Sequence, residues 1–356
     1  MNKYSIFPPT LALAVLLFLP ATSLAFEGEI LLFPTIAALH RNSPAANHPQ
    51  DKIEPSLDTF YSASHERLRL LAEFFLASDD KTMERMQIGW LPTPSTTMWL
   101  GRFHNPLGYW NTEFHHGNYL TTSITRPGII ASEKHGGGVL PIHISGLLVE
   151  EISDSPINYS VALGVGPTLG AKGLVPIDIL SPTERHGRLA ASARLTYRPL
   201  AKSLGEFGIF AARTTIPAEN ISMSMVTVSE IRQTLAGAEL NQEIGNLRLT
   251  GELYIVHNRI EPQLAVESHT FTSAYLQAEY PILPEWTLFG RIEDTAEKTG
   301  DLYLGLRPDF TKSRTLAGAR FELTHNQALK LELSHSKHQD NTQFNQLAME
   351  WSAIFP

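Results

Sequence analysis

The sequence predicts an all-β fold: a transmembrane, antiparallel, up-and-down β-barrel of about fourteen strands, with twelve or sixteen as alternatives. Three observations point there. The chain opens on an export signal, its apolar residues recur at every second position, and its connectors alternate between short and long. Its 356 residues could hold two ordinary domains or one large barrel. With 28 basic against 36 acidic residues it carries a formal charge of -8, which argues against nucleic acid as a partner. It has no cysteine, so disulfides, thiolate metal sites and thiol nucleophiles are excluded.

Residues 1–25 read as a signal peptide. Lys3 supplies the positive charge, Leu11 to Leu19 is an unbroken apolar run, and Ser23-Leu24-Ala25 offers a small-residue cleavage pattern. Nine apolar residues fall well short of the ~20 that a bilayer-spanning helix needs. No later run is long enough either, so the exported chain is soluble or crosses a membrane as strands.

Strands place alternate side chains on opposite faces. Leu68, Leu70, Ala72, Phe74 and Leu76 oppose Arg67, Arg69 and Glu73. Leu249, Gly251, Leu253 and Ile255 oppose Arg248, Thr250 and Glu252, and Leu329, Leu331 and Leu333 oppose Lys330 and Glu332. In the final segment Leu347, Met349, Trp351, Ala353 and Phe355 share a face. Fourteen such segments are expected near 65–78, 83–91, 96–104, 139–152, 157–167, 188–198, 204–214, 230–242, 246–257, 270–280, 285–295, 313–325, 328–335 and 343–355. Even-numbered links between them are short (92–95, 153–156, 199–203, 243–245, 281–284, 326–327). Odd-numbered ones are mostly long (105–138, 168–187, 215–229, 258–269, 296–312). A barrel in an outer membrane has short periplasmic turns and longer external loops, and closure leaves no strand edge unpaired in hydrocarbon. Trp90, Tyr197, Tyr280, Trp286 and Phe355 stand near strand ends, where aromatic girdles belong.

If the apolar faces meet lipid, the opposite faces line the lumen. The basic candidates there are Arg67, Arg69, Arg102, Arg188, Arg194, Arg198, Arg248, Arg291, Arg320 and Lys330. The acidic ones are Glu73, Glu206, Glu239, Glu252, Glu279, Glu293, Glu322, Glu332 and Glu350. The near balance favours cross-strand pairing over a single-sign pore wall.

The densest local feature runs from Gly101 through Pro106, Gly108, Trp110, Glu113, His115, His116 and Gly117 to Arg126, Pro127 and His143. Pro106 with Gly108 and Pro127 with Gly128 suit tight turns, so this is a structured loop. Its Gly-Arg-Phe-x-x-Pro-x-Gly start at a strand end resembles the porin-like outer-membrane β-barrel proteins of Gram-negative bacteria. The wider grouping includes the phosphate-selective porins, and the Trp-Asn-Thr-x-x-His-His-Gly extension resembles a largely uncharacterised branch of it. The local match covers about forty residues. It implies a barrel and solute passage, without a phosphate site, because the sequence has no matching lysine ladder.

Five of the fourteen histidines (His104, His115, His116, His135 and His143) lie in this region. His115 and His116 are weak transition-metal candidates, since imidazole suits zinc, copper and nickel. Folded inward, the loop would form a constriction with Arg102, Trp110, Glu113, His115, His116 and Arg126 as the solute-contact candidates. In general porins that role belongs to the third external loop; counted from fourteen strands, this one is the second.

The expected domains are the signal peptide, an N-terminal periplasmic or plug segment over 26–60, and the barrel over 61–356. An extra strand is a third option for 26–60. No hydrolase elbow, phosphate loop or dinucleotide fingerprint occurs, so no catalytic residue and no cofactor are expected. The expected function is diffusion of small solutes across the outer membrane. The alternatives are a sealed structural or adhesion barrel, a hydrophobic-compound transporter with an N-terminal plug, and a metal-binding barrel. Expected partners are outer-membrane lipid and lipopolysaccharide, small solutes, and two further copies in the homotrimer that the resemblance allows.

Overall fold

The computed structural model describes residues 26–42, 50–78, 80–114, 117–131, 133, 137–170, 173–177, 187–199, 205–223, 226–262, 267–297 and 300–356. The export signal and His115, His116 and His135 lie outside the described residues. The barrel strands are β1 (Glu27–Arg41), β2 (Asp51–His65), β3 (Leu68–Ala77), β4 (Lys81–Trp90), β5 (Thr96–His104), β6 (His143–Glu151) and β7 (Ile157–Val165). A two-stranded piece follows, β8 (Thr168–Gly170) with β9 (Gly173–Val175). The wall resumes with β10 (Leu189–Tyr197), β11 (Glu206–Met223), β12 (Val226–Ile244), β13 (Leu247–Pro262), β14 (Glu267–Leu283), β15 (Trp286–Glu297), β16 (Thr311–Thr324), β17 (Gln327–His338) and β18 (Gln343–Ala353). Each wall strand pairs antiparallel with the next, β7 pairs with β10, and β1 pairs with both β2 and β18. The sheet is therefore closed, with sixteen strands.

All fourteen strand segments read from the alternation are present. The count rises to sixteen because residues 27–41 and 51–60, expected as a periplasmic or plug segment, lie in the wall: they supply β1 and most of β2. Two features hide these strands. Pro34 and Pro55 interrupt them, and proline weakens a strand reading because it cannot donate to the ladder. In β1 three of the inward residues, Phe33, Ala37 and Leu39, are apolar, beside the polar Thr35 and Arg41, so the period-two contrast is blurred. An apolar residue is stable there because the inserted loop covers it: a Cβ on Gly117 would lie 2.3 Å from the Phe33 ring.

Elsewhere the two faces separate as expected. Leu331, Leu333, Leu347, Met349, Leu253 and Ile255 are exposed on the outside, whereas Lys330, Glu332, Glu350, Glu252 and Arg291 are buried inside. Burying charge toward the centre and leaving leucine outside suits a barrel whose solvent is hydrocarbon. The exposed aromatics Trp90, Tyr197, Tyr280 and Trp286 all sit at the end of the barrel that carries the short turns, and Phe355 bridges to Leu32 at that same rim. They form one girdle.

At the opposite, loop-bearing end, two expected loops are replaced by strand. The links over 215–229 and 258–269 are largely extensions of β11 to β14, which run 16 to 19 residues. At ~3.3 Å per residue they outrun the ~25 Å apolar band and stand above it as a four-stranded rim. Arg67 and Arg188 lie at strand ends and are exposed, so they leave the set of lumen charges.

The loop inside the barrel, a candidate functional site

With β1 and β2 in the wall, the links at the loop-bearing end run 42–50, 78–80 and then 105–142. The conspicuous segment is thus the third of them, and it turns into the lumen. It begins with a short helix, α1 (Gly108–Glu113), which packs against β11 and β12. A 3-10 turn over Asn118–Leu120 and another over Gly128–Ile130 follow.

Inward side chains of β13 to β18 hold the loop by its backbone. Glu252 accepts from the Trp110 amide at 2.6 Å, and Glu293 accepts from the Gly128 amide at 2.6 Å. Glu332 accepts from the Ile124 amide at 2.9 Å and the Thr125 hydroxyl at 2.7 Å. Arg291 donates to the Thr125 carbonyl at 2.7 Å, Arg320 to the Thr121 carbonyl at 2.8 Å, and Lys330 to the Asn118 carbonyl. On the opposite wall Asp58 accepts from the Gly117 amide at 3.2 Å. The Tyr119 hydroxyl reaches the His325 carbonyl at 2.9 Å, in the β16–β17 turn, so the loop spans the lumen down to the short-turn end. The charges read as cross-strand pairs therefore do a second job as well. Charge-assisted bonds to backbone groups are about twice as strong as neutral ones, and this loop has many.

The loop also carries its own apolar contacts. Leu107, Trp110, Ile129, Val139 and Leu140 pack against Tyr254, Phe271 and Tyr275 of the wall. Leu169 and Leu174 of the β8–β9 piece join them, as do Tyr303 and Leu304 of a one-turn helix, α2 (Leu302–Gly305), which Asp301 caps by accepting from the Leu304 amide. Tyr109 stands beside this cluster, with Arg248 and Asn241 each donating to its hydroxyl at 3.0 Å; burial pushes its phenol up to about 12.

Beside the loop a cavity of about 290 Å³ remains against the wall of β1, β2 and β16 to β18. Asn118, Ile124, Thr125 and Ala131 form its loop side. Arg41, Glu54, Thr311, Arg314, Ser334, Ser336, Gln346 and Glu350 form its wall side. Ala37, Leu39 and Phe344 add apolar wall, and Asp309 and His338 complete the polar part, so both signs of charge face a cavity of mixed polarity.

The candidate contact residues scatter around this geometry. Arg102 is buried on β5, at the stem of the loop. Trp110 is buried in the apolar cluster with the Arg291 guanidinium 5.5 Å over its ring, away from this cavity. Glu113 is exposed at the end of α1, near Tyr109 and Arg194. Arg126 is half-buried on the other side of the loop, its carbonyl accepting from Arg314 at 2.9 Å and its charge in the field of Glu84, Asp58 and Glu73. None of these four lines the cavity. The residues that do, Arg41, Glu54 and Arg314, went unread; Arg314 shares the parity of Arg320 and Glu322, which was the available signal.

No protein-family model matches the chain, and no curated protein does. Solved structures do. The anion-selective porin from Comamonas acidovorans superposes with a TM-score of 0.64 at 12% identity, over 92% of this chain and 100% of that one. The outer-membrane channel DcaP of Acinetobacter baumannii gives 0.64 at 10% identity, over 94% and 99%. OmpF of Salmonella typhi, in complex with daunomycin, gives 0.62 at 10% identity, over 93% and 98%. At these identities the likeness is one of architecture, and the architecture this chain shares with them is the porin-like barrel.

Proposed function

We propose that this chain is an outer-membrane channel for passive or facilitated diffusion of small polar solutes, with residues 105–142 as its constriction. The observation that carries the reading is the cavity, lined in part by charged and hydroxyl side chains, left between the inserted loop and the β1, β2 and β16–β18 wall. Its hydroxyls, amides and opposed charges suit hydrated solutes, and Arg41 and Arg314 stand against Glu54, Asp309 and Glu350, so both ion signs find partners there. The likeness to an anion-selective porin supports a channel and leaves the sign open. The N-terminal plug of the hydrophobic-compound alternative has no place here, because residues 27–41 are wall.

Planar-bilayer recording with purified full-length protein tests the proposal. Discrete conductance steps, enlarged when 105–137 is deleted, are the expected result. A second reading, a sealed barrel, draws on the apolar packing of Trp110, Val139, Leu140 and Tyr303 across part of the lumen. Silent bilayers with folded protein would establish that reading and overturn the channel.

A further inference from the structure

Where the inserted loop leaves and rejoins the wall, His104 and His143 are directly opposed, the last pair of the β5–β6 ladder. On the opposite face of the same stem Phe103 and Ile144 pack onto Leu148, Ala162 and Ala190, which fixes the stem's orientation. The two imidazoles meet edge to face with centroids 5.1 Å apart, and both are buried. Beside them β4 carries a bulge. Glu73 pairs with Arg85 and Phe74 with Met83, so Glu84 is the extra residue between them. Bulges re-aim side chains and gather beside functional sites. Here the Glu84 carboxylate reaches His143 Nε2 at 2.9 Å, while Glu133, from the returning arm of the loop, holds His143 Nδ1 at 2.8 Å.

We propose that Glu84, His104 and His143 form a binding site for a divalent transition-metal ion of the zinc type, with Glu133 orienting His143. The three residues offer donor atoms that all lie within 4.8 Å of one another. A point within about 2.8 Å of all three exists for any such triangle, against the ~2.0–2.2 Å of zinc–nitrogen and zinc–oxygen bonds, so small side-chain rotations close the gap. Two imidazoles and a carboxylate form a ligand set of intermediate softness that suits zinc, copper or nickel and leaves a fourth position for water. The Glu133–His143 contact has the carboxylate–histidine geometry that fixes which ring nitrogen faces a metal.

Charged side chains crowd the site. Asp58 on β2, Glu73 on β3, Glu84 on β4 and Glu133 in the loop bring four carboxylates. Arg85 on β4, Arg102 on β5 and Arg126 in the loop bring three guanidiniums. Carboxylates and guanidiniums are thus close to balance around the pair. His143 itself is approached on both ring nitrogens by carboxylates, an arrangement that suits a cation: a proton, making an imidazolium, or a metal between Nε2 and Glu84. Bound there, the ion ties both ends of the loop to β4.

The test uses full-length folded protein without a histidine tag, titrated with zinc in calorimetry and with cobalt in visible absorption. One equivalent of zinc should bind, with a cobalt spectrum of low coordination number. His104→Ala, His143→Ala and Glu84→Gln should each weaken binding by about tenfold or more, and Glu133→Gln by about ten- to a hundredfold. The double change His115→Ala with His116→Ala should leave the affinity unchanged. Each variant is checked for a fast-running folded band on unheated detergent gels, and His104→Gln replaces any that fails to fold. Absence of binding, or binding that survives both His104 and His143 substitutions, overturns the site and leaves His143 as a locked imidazolium.

Discussion

Lys330 Nζ lies 2.9 Å from Glu350 Oε1, with neither side chain exposed, at directly opposed positions on β17 and β18. The pair faces the lumen, and both members also grip the loop: Lys330 donates to the Asn118 carbonyl, and Glu350 accepts from the Asn118 amide side chain at 3.0 Å. Removing one member of a buried ion pair leaves the other uncompensated, at a cost of about 3–5 kcal/mol. Lys330→Met should lower the denaturant midpoint of the folded gel band accordingly. Adding Glu350→Met should recover much of the loss, while larger conductance steps persist in both variants because the loop has lost its tether.

Glu332 gives a cleaner view of the loop alone. It accepts from two backbone amides and one hydroxyl of Ile124 and Thr125. Hydrogen bonds to a charged acceptor are worth about 1.5–3 kcal/mol each. Glu332→Gln should leave the barrel folded and raise single-channel conductance or its flicker. A conductance trace identical to wild type would show that these bonds do not set the constriction.

The outer face makes an independent prediction. Leu333 is 60% exposed at the middle of β17. Leu333→Arg should destabilise the barrel in lipid by about 2–4 kcal/mol, the cost of a cation on the lipid face near the midplane. The same change at exposed Arg67's neighbour Leu68, at the short-turn rim, should cost about 1 kcal/mol or less. Equal costs at the two positions would argue against a bilayer around the wall.

Gly117 has φ 48° and no room for a Cβ beside Phe33. Gly117→Ala should displace the loop from β1 and lengthen the Gly117 amide to Asp58 contact, which is 3.2 Å here. The destabilisation should be about 1–3 kcal/mol. Phe33→Ala added to Gly117→Ala should relieve part of it, a coupling that a double-mutant cycle reads directly.

Tyr109 supplies the pH dependence. Its phenol, raised from 10.0 to about 12 by burial, favours the protonated form in the folded state. The folded-state value is the higher one, so its contribution is fully present below pH 10 and is lost as pH rises toward 12. Ultraviolet titration should show Tyr109 ionising late, and Tyr109→Phe should remove that step from the spectrum.

Most of the wall was legible because lipid enforces a rule: the outward positions at membrane depth on strands such as β17 (Leu329, Leu331, Leu333) and β18 (Leu347, Met349, Trp351) are apolar, and the polar inward residues sharpen the contrast. The rule weakens where protein replaces water inside. β1 escaped for that reason, since Phe33 and Leu39 are apolar toward a covered lumen. Its absence shifted the loop numbering by one and put the inserted segment second instead of third. Within the loop, conspicuousness in sequence and position at the cavity do not coincide. Conspicuous residues such as Trp110 anchor the loop, and plain ones such as Thr125 face the gap. His104 and His143 were visible as histidines, but only the β5–β6 register makes them neighbours.

The partners that hold the inserted segment come from far down the chain: Thr125 is bound by Glu332, 207 positions later, and Arg320 reaches back 199 positions to Thr121. Nothing can lean on a wall that has not yet been built. Much of the segment's support is therefore missing until the last hairpins have joined the sheet, so its final seat in the lumen is completed only when the wall is.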